Sequence, residues 1–152
     1  MSTAPYATIA HGPIEVDWLG GSEFEAHRSG AAPKIRIDGD ARSAPSPFDA
    51  LLAAIATCAA TDLVAILEKQ RTPAKALHVT IEARRVGTTP RRLASAKLHF
   101  AVTAPGATQA KTARAVELSV TKYCSVRSSL IEDAPVTWTF ALESSPGAGD
   151  SR

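Results

Sequence analysis

Ser46-Pro47-Phe48-Asp49-Ala50-Leu51-Leu52-Ala53-Ala54-Ile55-Ala56-Thr57-Cys58 reads as the opening of a long helix. Ser46 suits the N-cap, and Pro47 suits the first helical position, where the missing amide would be unpaired anyway. Asp49 completes a capping box with Ser46. Leu51, Ile55 and Cys58 recur at helical spacing, and Leu52, Leu63, Ile66 and Leu67 widen that stripe. Thr72-Pro73 ends the run, because a residue before proline avoids the helical region. Lys69 and Arg71 suit the negative C-terminal end. The helix is therefore expected from Pro47 to about Lys69 or Arg71. Ala53, Ala54, Ala56, Ala59 and Ala60 make it slim nearly all round, so it is expected to be central and buried.

Strands are expected on both sides. Ile14, Val16 and Trp18 alternate with polar residues, and Gly20-Gly21 marks a turn. Phe24 and Ala26 follow, then Ile35 and Ile37 after a loop at Ser29 to Pro33. Asp38-Gly39-Asp40 ends this third strand, and the three suggest an antiparallel meander. Beyond the helix, Leu77, Val79, Ile81 and Ala83 alternate, as do Ala96, Leu98, Phe100 and Val102, with a turn at Gly87 to Pro90. A second helix is expected from Lys111 to Lys122, with Ala113, Val116, Val120 and Tyr123 on one face. Cys124 follows, then a short helical piece from Ser125 to Ile131 and a last strand through Val136, Trp138, Phe140 and Leu142. Strands, helix, strands, helix, strand is an α+β order, not the alternation of a parallel α/β sheet.

The 152 residues suit one domain over 1–143, with a Ser-, Gly- and Pro-rich tail over 144–152 expected to be disordered. A net charge of +2 without blocks of like charge argues against a nucleic-acid surface or a polybasic membrane anchor. Arg84-Arg85 and Arg91-Arg92 flank the expected hairpin turn and read as a solvated loop. Met1 to His11 does not resemble a signal peptide. The longest apolar stretch, Ala50 to Ala60, is about half a membrane span. A cytoplasmic chain with reduced thiols and no membrane partner is expected. His11, His27, His78 and His99 have no metal-ligand spacing, and two cysteines make neither a disulfide framework nor a zinc site. Neither metal nor cofactor is expected.

The candidate chemistry lies with Cys58 and Cys124. Cys58 falls mid-helix on an apolar stripe, where a cysteine often fills space. Cys124 falls at a break between helical segments, where the positive end of the next helix favours a thiolate. Ser125 is a rival cap there, and Tyr123 a core candidate. The pair is too far apart in sequence for a CxxC motif. It could meet in space as an attacking and a resolving thiol.

The run from Ser46 to Cys58, continued by Asp62-Leu63-Val64-Ala65-Ile66-Leu67-Glu68-Lys69-Gln70-Arg71, resembles the central-helix motif of the OsmC/Ohr family. Lys122-Tyr123-Cys124-Ser125-Val126 resembles its second cysteine motif. The resemblance covers Ile14 to Leu142 and is closest to the YhfA-like branch. It implies antiparallel sheets around a long central helix, an intertwined homodimer, and active sites at the subunit interface. By the same resemblance Cys58 would be the peroxidatic thiol and Cys124 the resolving one. The implied reaction is thiol-dependent reduction of an organic hydroperoxide, with a dithiol or lipoylated protein as reductant.

Peroxidases of this family pair the reactive cysteine with a glutamate just after the helix-start proline and an arginine from the first glycine turn. Here Phe48 takes the glutamate's slot, with Asp49 one residue later. Gly20-Gly21-Ser22-Glu23 holds no arginine. Arg28 is the substitute candidate, because it shares the phase of Phe24 and Ala26, and Arg127 is another. The site residues are thus expected to be Cys58, Cys124, Asp49 and Arg28. The alternative is a non-enzymatic dimer binding an apolar small molecule at the interface pocket.

Overall fold

The computed structural model describes residues 6–144. The expected disordered tail lies, from residue 145 on, outside the described residues. The fold is α+β, with two three-stranded sheets and one long helix. The chain divides into two compact units, Met1–Ala50 and Leu51–Arg152.

The first unit holds β1 (Ile14–Gly20), β2 (Glu23–Arg28) and β3 (Lys34–Asp38), an antiparallel meander as the alternation predicts. Val16 pairs with Ala26 and Ala26 with Ile35, and Trp18 pairs with Phe24 and Phe24 with Ile37. The strand period of two therefore gathers the apolar residues on one face. The other face is charged, with Lys34 bonded to Glu25 at 3.2 Å and Arg36 near Glu23 at 3.5 Å. Asp38 ends the sheet buried. Its carboxylate accepts hydrogen bonds from the Ser22 and Ser43 hydroxyls and from the amides of Asp40, Arg42 and Ser43. One side chain thus fixes the loop that leads to the long helix, α1 (Pro47–Lys69).

The capping box forms as read. The Ser46 amide donates to Asp49 Oδ2 at 2.9 Å, and the Asp49 amide donates to Ser46 Oγ at 3.1 Å. At the far end Arg71 adopts a left-handed φ of 62°. Its amide donates to the Glu68 carbonyl at 2.9 Å and that of Thr72 to the Leu67 carbonyl at 3.0 Å, a Schellman closure.

The second unit packs α1 residues Ile55, Ala56, Ala59, Leu63 and Leu67 into its core. Leu51, Leu52 and Cys58 are half-buried, while Ala53, Thr57, Thr61 and Val64 are exposed. The helix is thus amphipathic in this chain, not buried all round as its alanines suggest. At 23 residues it has the length and composition of a membrane span, a test that core helices also pass. The sheet runs β4 (Ala76–Arg85), β5 (Leu93–Thr103), β6 (Val136–Glu143), with β5 central. Ala96, Leu98, Phe100 and Val102 of β5 are buried. The β4–β5 hairpin carries the arginine cluster, where Arg92 grips the Asp133 carboxylate at 3.1 and 3.0 Å.

Two expectations are corrected here. The expected antiparallel pairing fails at β6, which lies parallel to β5. The connection between them carries helices, and a long helical crossover is what a parallel pair requires. The second helix, α2 (Gln109–Leu118), is shorter than expected and passes into a π-helical turn, Ser119–Tyr123. Tyr123 is consequently exposed rather than core. The last helix, α3, spans only Ser125–Ser128.

Candidate active site

The second unit brings Cys58 and Cys124 together. Cys58 stands half-buried on α1, three residues beyond the buried Ile55. Cys124 arrives from the other direction. The wide π turn ends at Tyr123, and Cys124 takes an extended conformation (φ −69°, ψ 96°) that redirects the chain into α3. Such π turns are frequent at functional sites. Cys124 is buried, and its sulfur approaches the Ile55 carbonyl at 3.9 Å. That sulfur is also the N-cap of α3, accepting from the Arg127 amide at 3.4 Å. Because the sulfur caps, the Ser125 hydroxyl does not. It lies 3.7 Å from Cys58 Sγ instead.

These contacts pull the two thiols in opposite directions. Burial pushes the Cys58 thiol up. Donation to its sulfur from the Val126 amide, the Ser125 hydroxyl, the Cys124 thiol and the Ser125 amide outweighs that, and leaves it below the ordinary thiol value. For Cys124 burial again raises the thiol. The Arg127 and Val126 amides oppose this, but bonding to Cys58 and repulsion by its thiolate add to the rise, so Cys124 stays protonated. The expectation that the helix start activates Cys124 is therefore corrected. The amides of α3 favour both thiolates, and they prevail at Cys58 but not at the more deeply buried Cys124. Cys58 therefore ionises before Cys124, the order that a nucleophile and its resolving partner require.

The other two candidates belong to the first unit. Asp49 is committed to the capping box, where the Ser46 amide and hydroxyl hold its carboxyl below the usual carboxylate range. Cys58 is nine residues further along α1, since 58 − 49 = 9, about 13 Å of helical rise. Arg28 ends β2 in the first unit, opposite Ile14, with its side chain exposed. Arg127 contributes to the cysteine pair through its amide. The groups that sequence reasoning undervalued are Ser125 and the Val126 amide. Their signal was the run Cys124-Ser125-Val126 at a helix start, where a serine hydroxyl joins the unpaired amides of a first turn. Among the described residues no three His, Cys, Asp or Glu cluster as a metal site.

A slim helix bearing one cysteine, a second cysteine at a helical break, and two small sheets define an OsmC-type protein. The chain belongs to that family, whose model, described as OsmC-like protein, matches residues 38–139. Over 128 residues it is 36% identical to Protein YhfA of Escherichia coli strain K12, covering 84% of this chain and 95% of that one. Its fold is similar to that of the OsmC-like protein from Mycoplasma pneumoniae, with a TM-score of 0.75 at 15% identity over 89% of this chain and 99% of the other. It is also similar to an organic hydroperoxide resistance protein from Elizabethkingia anophelis, with a TM-score of 0.63 at 12% identity over 91% and 100% of the two chains.

Proposed function

We propose that this protein is a thiol peroxidase that reduces organic hydroperoxides. The observation that carries the reading is geometric: the start of α3 sets the buried Cys124 and the Ser125 hydroxyl beside the half-buried Cys58, with Ser125 Oγ 3.7 Å from its sulfur, and Cys58 ionises before Cys124. The Cys58 thiolate attacks one peroxide oxygen. The O–O bond breaks, an S–O bond forms, and the alcohol leaves after taking a proton. Cys58 is then a sulfenic acid. The Cys124 sulfur attacks it, an S–S bond forms, and water leaves. An external dithiol, free or carried on a lipoylated protein, exchanges with the disulfide and restores both thiols. The hydroperoxide-resistance name of the Elizabethkingia anophelis relative supports the substrate class.

A homodimer is the working form on this reading. The apolar face of the first sheet supports it, since Ile14, Val16, Trp18 and Ile35 are exposed in the single chain. A cytoplasmic location would keep both thiols reduced between turnovers.

The test is consumption of cumene hydroperoxide or tert-butyl hydroperoxide by the reduced protein, with dithiothreitol or dihydrolipoamide as reductant. Cys58→Ser is expected to lose essentially all consumption. With no reductant present, Cys124→Ser is expected to consume one equivalent and stop at a sulfenic acid that dimedone captures at Cys58. Unchanged consumption by Cys58→Ser overturns the assignment.

A further inference from the structure

We propose that Ser125 is a catalytic residue, whose hydroxyl donates to the Cys58 sulfur and holds it as the thiolate that reacts. The inference deepens the peroxidase reading and rests on it for the identity of the nucleophile.

The geometry begins with the division of labour at the start of α3. A serine at such a position ordinarily spends its hydroxyl on a backbone amide. Here the Cys124 sulfur takes that amide, donated by Arg127 at 3.4 Å. The Ser125 hydroxyl therefore has no capping duty, and it stands 3.7 Å from Cys58 Sγ, within hydrogen-bond reach of a large sulfur atom. The sequence order Cys124-Ser125 thus places the resolving thiol and an O–H donor on adjacent residues, both directed at the same sulfur. Ser125 is exposed, so ordering its hydroxyl toward sulfur strips little water from it.

The chemistry suits a hydroxyl better than a fixed cation. A hydroxyl donates to the thiolate before attack, and can turn to accept from the S–OH afterwards without leaving a buried charge uncompensated. A hydrogen bond to an ionised group is about twice as strong as a neutral one. Donation therefore favours the thiolate over the thiol. Among the described residues the titratable group that bears on Cys58 is the Cys124 thiol. Ser125→Ala leaves that thiol in place.

The experiment is the pH–rate profile of Cys58 alkylation by iodoacetamide in the intact reduced protein, with the site confirmed by peptide mapping. Ser125→Ala is expected to move the profile to higher pH and slow alkylation at pH 7 by about tenfold, the scale of one hydrogen bond to a charged group. Ser125→Thr keeps the hydroxyl and is expected to recover most of the rate. An unchanged profile in Ser125→Ala overturns the proposal, as does a Ser125→Thr profile that matches the alanine variant. Peroxide consumption is measured on the same samples. If the wild-type protein consumes no hydroperoxide while Ser125→Ala still shifts the profile, the peroxidase reading falls and the role of Ser125 at the sulfur stands.

Discussion

The two sheets have three strands each and nearly the same alternating apolar pattern, yet they end in opposite states. In the second, Leu98 and Phe100 are fully buried and Val102 is 2% exposed. In the first, Ile14, Val16, Trp18 and Ile35 remain 53 to 68% exposed, and Ala26 is the one strand residue on that face counted in the core. Alternation makes a strand and sorts its side chains to two faces. It does not say what covers the apolar face. That depends on the partner layer, and the second unit supplies core residues from α1 and α2 alongside β5.

The sharpest way to break this comparison is a matched pair of truncations. Phe100→Ala empties a fully enclosed site and is expected to destabilise by about 3–5 kcal/mol. Val16→Ala removes exposed methyl groups and is expected to change stability by about 0.5 kcal/mol or less when the protein is dilute. Urea unfolding of both variants, across a range of protein concentrations, measures the difference. A Val16→Ala cost that grows with concentration shows a second copy on that face, because association stabilises by mass action. A large cost at every concentration would erase the distinction between the sheets.

The same contrast sets what the sequence could disclose. The strand positions, the capping box and the stop at Thr72-Pro73 were legible because each is a local rule acting over a few residues. The direction of β6 was not, because a period of two reads the same in parallel and antiparallel sheets. The π turn was not, because Ser119 to Tyr123 carries nothing that distinguishes it from an α-helical continuation. At the site, both cysteines are legible, and the source of the donors to Cys58 is not. The donors that favour the Cys58 thiolate come from a segment 67 residues away. Sequence spacing assigns the pull of α3 to Cys124 alone, its N-cap. Folding sends donors to both sulfurs, and at Cys124 burial and the neighbouring Cys58 outweigh them.

The units also differ in where pH acts on them. The carboxyl of Asp38, in the first, is held far below its ordinary value of 3.8, first by the Ser22 hydroxyl and then by the amides of Ser43, Asp40 and Arg42. A carboxyl lowered by folding contributes stability that is complete above its unfolded value and is lost as pH falls through the folded one. Asp49 acts in the same direction through Ser46. In the second unit the shifted groups are thiols. The contribution of Cys58, a lowered thiol, is complete above its ordinary 9.0 and is lost as pH falls through its folded value. That of Cys124, a raised thiol, is present below 9.0 and is lost as pH climbs above it. Acid is therefore expected to loosen the first unit first. Hydrogen exchange at the amides of Asp40, Arg42 and Ser43 should quicken below about pH 4, beyond the change in intrinsic exchange, while that at Phe100 stays protected. Asp38→Asn should show this loosening already at neutral pH and lose much of its acid dependence. Simultaneous release of Phe100 would place both sheets in one cooperative unit.

The smallest expected effect compares the two non-glycine residues held in the left-handed region, one in each unit. Ala41, with φ 54°, donates its amide to the Asp38 carbonyl within the loop after β3, and Arg71, with φ 62°, closes α1. An L-residue in that region sacrifices roughly 1–2 kcal/mol. Glycine removes the strain but gives back about 0.5–1 kcal/mol through a freer unfolded chain. Arg71→Gly is therefore expected to stabilise by about 0.5 kcal/mol, less whatever the lost cation contributes at the helix end. Ala41→Gly loses only a methyl group and should gain slightly more. Thermal unfolding resolves the pair if the two units melt together, since both gains then appear in one transition. If the units melt separately, Ala41→Gly moves the transition of the first and Arg71→Gly that of the second. The weakest substitutions thus report whether the open sheet and the covered one belong to a single folding unit.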